Sequence, residues 1–406
     1  MHSMKDTQRV KIGMIGLNGR GQHVIRGYAK HKKCEITAIC DRHPRLIENT
    51  SELLRNPDVH TYTDATTMLR EADIDAVIIC TEPDQNSNLV CEALAAGKHV
   101  MCEVPLCYTL EDCWKMVLAV ERSGGLKFQL AEQMRYHAAM RAWSKMHDEG
   151  AFGKITLVRG EYLHPTTEYF WMDAETGAQV HHHQVQDTSS LKKGRLWTLK
   201  HPIWYLPHEL SPLLSVLKDR VTKVSCIGTR KGSYVYDWFP HSDIEVATMH
   251  TEKDTILNLS AGFIIPNYDK GHYGYHWYQM MGTKGNAETP RTAGGKGLLW
   301  FADSYTNQPT EMDWAYDPHR VSREILRSGH GGLDYWPISY WLDSILEDTT
   351  PPCDIYTAVE TAAPAIVAGL SADLGGELLY VPDFRPGEKR QTGCAPQETK
   401  SLREPF

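Results

Sequence analysis

The 406-residue chain lacks any apolar run approaching about 18 residues, so no segment reads as a membrane span. It also lacks a basic excess. Its 43 Lys and Arg stand against 51 Asp and Glu, a formal charge of -8, whereas a nucleic-acid binder needs a positive surface. No internal repeat is visible. None of the ten cysteines, at 34, 40, 80, 91, 102, 107, 113, 226, 353 and 394, forms a C-x-x-C pair. Several sit inside apolar runs and read as buried reduced thiols of a cytoplasmic protein, not as zinc ligands or disulfides. A secretory leader is not expected either, because the first apolar stretch, Val10 to Leu17, is short and runs straight into glycines. What is present is the balance of a globular protein, 41% hydrophobic and 23% charged, at a length suited to two domains. The expected division is residues 1–127 and 128–406.

The N-terminal part alternates strand and helix. Val10 to Gly16 is a short apolar run of the kind that forms a buried parallel strand, and Gly16-Leu17-Asn18-Gly19-Arg20-Gly21 follows it. Gly16 and Gly21 take the outer positions of G-x-G-x-x-G. Asn18 holds the middle one, where its tolerance of left-handed backbone angles would preserve the turn. The helix opening after Gly21 would direct its free N–H groups at a pyrophosphate. A second strand, Glu35 to Cys40, ends at Asp41, twenty residues after Gly21, where a carboxylate would grip the adenine ribose hydroxyls. Asp41 favours NAD over NADP, and the neighbouring Arg42 pulls the other way. Further strands over Ile74 to Cys80 and His99 to Cys102 alternate with helices over Thr66 to Glu71 and Asn88 to Ala96. The fold class is therefore α/β: a doubly wound Rossmann sheet, followed by an α+β domain with an open, mainly antiparallel sheet. The expected cofactor contacts are Gly16, Asn18, Gly19, Arg20, Gly21, Asp41, Arg42, Thr81, Asn86 and Glu103.

From Lys154 the pattern becomes alternating strands: 155–162, 221–229, 242–250, 255–262, 275–282 and 298–301. Residues 336–347 and 355–374 read as helices. Residues 173–200 read as an irregular polar insertion whose Lys192, Lys193, Arg195 and Lys200 form a cationic rim, either plainly solvated or able to hold an anionic sugar substituent. His181-His182-His183 invites a metal reading, but consecutive side chains on a loop do not converge on one ion, and no metal site is expected. His330, flanked by glycines in Gly329-His330-Gly331-Gly332, sits on a loop that can approach a ligand closely.

These motifs resemble the Gfo/Idh/MocA family of sugar and cyclitol oxidoreductases. The likeness runs through Ile12 to Gly16, Ala95 to Val100, Glu103-Val104-Pro105-Leu106, Met281 to Gly285 and Asp354 to Glu360. The resemblance implies a C-terminal sheet with the substrate site on one face and a homo-oligomer interface, dimer or tetramer, on the other. It also implies that Arg135 and Tyr136 border nicotinamide and sugar. Two positions depart from the family's dehydrogenases. Their Glu-Lys-Pro lysine is here Val104, which can carry no proton, and Trp204 stands where an Asp precedes the family histidine, His208. Tyr205-Leu206-Pro207-His208 and Gly329 to Gly332 instead resemble the NAD-dependent glycosidases of the family, the α-N-acetylgalactosaminidase group and related sulfoquinovosidases.

That resemblance implies a reaction without net redox. NAD takes the hydride from C3 of a small-molecule sugar glycoside, the ketone acidifies the C2 proton, and the C1 leaving group departs by elimination. Water then adds at C1 and the hydride returns. His208 would handle the C3 hydroxyl proton, Tyr205 the C2 proton, and His330 the substrate or leaving group. Lys192, Lys193, Arg195 and Trp204 join Arg135 and Tyr136 as expected substrate contacts. Two alternatives stand beside this reading: a sugar or cyclitol dehydrogenase using His208 without the lysine, and a non-catalytic dinucleotide-binding regulator.

Overall fold

The computed structural model describes residues 9–165, 170–185, 187–304, 306–314, 325, 328–387, 390 and 402–404. Six strands, β1 (Val10–Ile15), β2 (Cys34–Cys40), β3 (His60–Tyr62), β4 (Ala76–Ile79), β5 (His99–Cys102) and β6 (Phe128–Leu130), form one sheet in the order β3-β2-β1-β4-β5-β6. Every pairing in it is parallel. Such a sheet needs crossover helices, supplied by α1 (Arg20–Tyr28), α2 (Pro44–Leu54), α3 (Ala65–Glu71), α4 (Pro83–Ala95) and α5 (Leu110–Arg122). Local signals start these helices. Asp64 accepts from the Thr67 N–H to cap α3, and Thr109 accepts from the Asp112 N–H to cap α5. Strand order reverses between β1 and β4, which opens a crevice at their carboxyl ends. β6 lies just past residue 127, so the sheet runs slightly beyond the expected boundary.

The chain then forms α6 (Ala138–Asp148) and β7 (Ile155–Leu163) and enters the 173–200 region. That region is more ordered than its polarity suggests. β8 (Trp171–Asp173), β9 (Gln179–Val180) and β10 (Leu191–Lys193) pair in the order β10-β8-β9, and α7 (Arg195–Thr198) follows. The Trp204-Tyr205 segment is not a strand but a 3₁₀ turn over Pro202–Tyr205 that leads into α8 (Pro207–Leu217). Pro202 and Pro207 explain the difference: each opens a helical turn, where its missing N–H costs nothing.

The remaining strands are β11 (Val221–Gly228), β12 (Ile244–Thr251), β13 (Ile256–Gly262), β14 (His276–Gly282), β15 (Gly285–Glu288), β16 (Gly297–Phe301), β17 (Thr310–Met312) and β18 (Leu379–Tyr380). With β7 they make a nine-stranded sheet in the order β17-β16-β15-β14-β7-β13-β12-β11-β18, antiparallel except for the parallel β7–β13 pair. Two further helices, α9 (Tyr335–Leu346) and α10 (Ile355–Asp373), close the fold. α10 is long and apolar enough to cross a membrane, yet 72% of its apolar stretch is buried, and it packs on β11, α5 and α8. α9 returns to the first sheet. Its Ile338, Trp341 and Leu342 share one apolar cluster with Val24, Ile25 and Tyr28 of α1.

Candidate active site

The glycine loop opens α1 as its spacing requires. Gly16 has φ 90°, and a Cβ there would lie 2.5 Å from the Cys80 carbonyl oxygen. A Cβ on Gly21 would collide with the Gly16 carbonyl oxygen. Both positions are therefore closed to any side chain. The left-handed role expected of Asn18 falls instead to Gly16 and to Gly19, at φ 38°, and the Asn18 amide reaches Met172 Sδ at 3.5 Å. A cavity of about 190 Å³ opens at the carboxyl ends of β1, β2 and β4, walled by Gly16, Asn18, Asp41, Arg42, Thr81 and Gln85. Met172 and Gly177 of the small sheet cover it.

Asp41 accepts one backbone N–H on each oxygen, from Leu17 at 2.8 Å and from His43 at 2.9 Å. A carboxylate has about four acceptor sites, so two remain for the hydroxyl pair of a ribose. The cradle thus fits the adenosine half of a dinucleotide. Thr81 and Asn86 are joined by a 2.9 Å hydrogen bond, and the Asn86 amide donates to the carbonyls of Pro105 and Leu106. Asn86 is buried and ties α4 to the segment after β5.

Arg20 is held, partly buried, between two carboxylates. Its guanidinium lies 2.7 and 3.1 Å from the Asp334 oxygens and 3.1 Å from Glu103. Burial disfavours its charge, but Asp334 and Glu103 more than offset that and raise its pKa further. Burial likewise works against the Asp334 carboxylate, and Arg20 with His330 overcomes it, holding the group well below the usual carboxylate range. His330 turns its Nδ1 to Asp334 Oδ1 at 2.9 Å from a left-handed backbone position, φ 51°. The candidate loop histidine is thereby tied to the glycine loop through Asp334, a residue with no motif to announce it.

The second group gathers where α8 meets β7 and β14. Tyr205 closes the 3₁₀ turn, and His208 stands in the first turn of α8, ring centroids 5.8 Å apart. Arg195 donates to Tyr205 Oη at 2.8 Å and to Glu82 at 3.2 Å, linking the phenol to the carboxyl end of β4. His208 Nδ1 lies 2.8 Å from Glu132 Oε2, a fully buried carboxylate just beyond β6, whose other oxygen accepts from the Met134 N–H. Tyr162 on β7 lies beside both, 6.0 Å from Tyr205 and 5.4 Å from His208, and stacks flat on His276 at 4.4 Å. Tyr162 and His276 are register partners across β7 and β14. His276 Nδ1 in turn meets Glu209 Oε1 at 2.6 Å. Val104, after β5, is buried and offers no amine.

Other expected contacts lie elsewhere. Arg135 donates to Ser211 and to the Pro352 carbonyl, and Tyr136 packs on Tyr340, so their partners belong to helix packing and not to the His208 cluster. Trp204 stacks on Tyr108 at 4.7 Å, beneath Gly369 of α10. Lys192 and Lys193 are exposed on β10, with Lys193 over the Trp197 ring. His182 packs against Tyr236 and Trp238 while the rings of His181 and His183 lie 5.3 Å apart. Among the described residues no three His, Cys, Asp or Glu side chains form a metal set. Sequence reasoning passed over Glu132, Tyr162, Glu209, His276 and Asp334. The only available signal was the run of aromatic residues and histidine in Tyr273 to Tyr278.

Residues 10–130 match the Gfo/Idh/MocA model, described as an oxidoreductase family with an NAD-binding Rossmann fold. Along its length the chain is similar to proteins named glycosyl hydrolase family 109. One from Porphyromonas gingivalis is 26% identical, over 94% of this chain and 85% of its own. Another from Phocaeicola vulgatus is 27% identical, over 94% and 96%. In architecture it is similar to an Agrobacterium radiobacter oxidoreductase solved with NAD+, L-tartaric acid and magnesium (TM-score 0.71, 17% identity, 92% and 98% covered). It is also similar to scyllo-inositol dehydrogenase from Lactobacillus casei, solved with NAD(H) and scyllo-inositol (TM-score 0.66, 21% identity, 92% and 99% covered). The resemblance read from the motifs is thus met by the family model over residues 10–130 and by relatives that carry the glycosyl hydrolase family 109 name.

Proposed function

With residues 10–130 carrying the NAD-binding Rossmann domain of the Gfo/Idh/MocA oxidoreductases, we propose that this chain is an NAD-dependent glycoside hydrolase acting by transient oxidation at C3 of a sugar. The observation that carries the reading is the pairing of His208 with buried Glu132 beside Tyr205, while Val104 leaves the end of β5 without an amine. Relatives named glycosyl hydrolase family 109 support the same direction. Bound NAD supplies a reversible hydride acceptor for the C3 carbon.

The protein's own groups manage the protons. His208 faces Glu132 through Nδ1, which leaves Nε2 to take the C3 hydroxyl proton, and Glu132 steadies the cation that forms. Tyr205 Oη takes the C2 proton as its phenolate, the form that the Arg195 cation bonded to it favours, and becomes neutral in doing so. Arg195, bonded to Tyr205 and to Glu82, is the cation at the cluster nearest an anionic substituent such as a sulfonate.

The test is incubation with NAD and a panel of nitrophenyl glycosides, neutral and anionic. Phenol release with no accumulation of NADH is the expected result. Steady NADH formation from free sugars or cyclitols would make the protein a dehydrogenase, and silence in both assays would leave a binding role.

A further inference from the structure

Elimination at C1 needs an acid for the departing oxygen; Tyr205 is accepting the C2 proton in that step, and the proton on His208 is owed to the C3 oxygen when the hydride returns. Building on the proposed hydrolase reading, we infer that His276, backed by Glu209, is the acid that protonates the leaving group and later accepts a proton from the incoming water. Glu209 is fully buried one residue after His208, and its Oε1 is 2.6 Å from His276 Nδ1. Its Oε2 is buried with no partner among the described residues. His276 lies flat against Tyr162 and edge-on to His208 at 5.7 Å, so it belongs to the same cluster as the two proton acceptors. Its side chain keeps 10% of its surface open, and its Nε2 has no hydrogen-bond partner among the described residues.

Burial pushes the Glu209 carboxyl up, and Glu132 and Glu161 add to the effect. Burial pushes the His276 imidazole down, helped by His208, His164, His330 and Lys270. Both shifts favour the neutral pair, in which Glu209 holds the proton that it donates to Nδ1 and Nε2 carries the ring hydrogen.

The step balances. As the C1–O bond breaks, its electron pair stays on oxygen, which takes the Nε2 proton. The Glu209 proton passes to Nδ1, leaving a carboxylate. When water adds to C1, its proton returns to Nε2, the Nδ1 proton goes back to Glu209, and Tyr205 restores the C2 proton.

Glu209→Gln separates this role from a structural one. The amide N–H still donates to Nδ1, so the tautomer and the α8–β14 link survive, but no proton can be relayed. Nitrophenyl glycosides, whose leaving groups need little help, should turn over within about fivefold of the native rate. Methyl glycosides should slow by about 10²–10³-fold. In D2O the variant should also return unreacted methyl glycoside carrying deuterium at C2, because oxidation and C2 deprotonation continue. His276→Gln should show the same split. Equal losses on both substrates, or no loss on either, would overturn the assignment. Should the native protein with NAD cleave no glycoside at all, the hydrolase reading itself fails, and this inference falls with it.

Discussion

Arg20 shows how much a single residue in a nucleotide loop can carry. It joins the loop to Glu103 after β5 and to Asp334 just before α9. Asp334→Asn leaves a partly buried guanidinium half compensated, and we expect a loss of about 2 kcal/mol in urea unfolding. The native Asp334 carboxylate lies below its unfolded value, so its contribution is complete above about pH 4 and is lost as pH falls below that. Stability of the native protein should therefore drop on acidification below about pH 4, and the drop should be shallower in Asp334→Asn. Equal acid profiles would contradict the pairing. At the neighbouring cluster, Tyr205→Phe and His208→Gln should each lower glycoside turnover by about 10²–10⁴-fold with NAD affinity unchanged, measured by steady-state kinetics and calorimetry. Asp41, Tyr205 and His208 were legible because each lies in a short motif with a fixed offset. Tyr162 and His276 were not, because they meet only when β7 pairs with β14, more than a hundred residues apart. Asp334 gave no sign because its partner lies at the other end of the chain.

At the scale of elements, the parallel sheet and its crossovers followed from buried runs ending at glycine or an acidic residue. The 173–200 region did not, since polar strands of two or three residues carry little periodicity. Its position gives it a purpose: Gln179 of β9 lies against Gly19, Met172 of β8 against Asn18, and Gly177 against His43. β8–β10 therefore forms a cover over the nucleotide cradle. We expect NAD to slow amide hydrogen exchange across residues 171–193 as well as in the glycine loop. Protection confined to the loop would show that the cover takes no part. Gly21→Val should abolish NAD binding, because a side chain there meets the Gly16 carbonyl. Undiminished affinity by calorimetry would contradict the loop assignment.

For the whole molecule, the two sheets are not separate bodies on a tether. α9 packs its Trp341 into the α1 cluster, α10 touches both α5 and β11, and Glu132–His208 and Glu82–Arg195 bridge the halves at the site. Trp341→Ala should cost about 4 kcal/mol. NAD at about 100 times its Kd should raise stability by about 2.7 kcal/mol in one transition seen by probes in both domains. Two transitions, only one of them moved by NAD, would refute that coupling. The chemistry proposed for the junction depends on one claim, that oxidation here is temporary and loosens a bond two carbons away. It is tested most directly by letting the native protein with NAD hydrolyse a glycoside in D2O and reading the released sugar by NMR. The account predicts deuterium at C2, the original hydrogen retained at C3, and no net NADH. A product with its C2 hydrogen intact would contradict it.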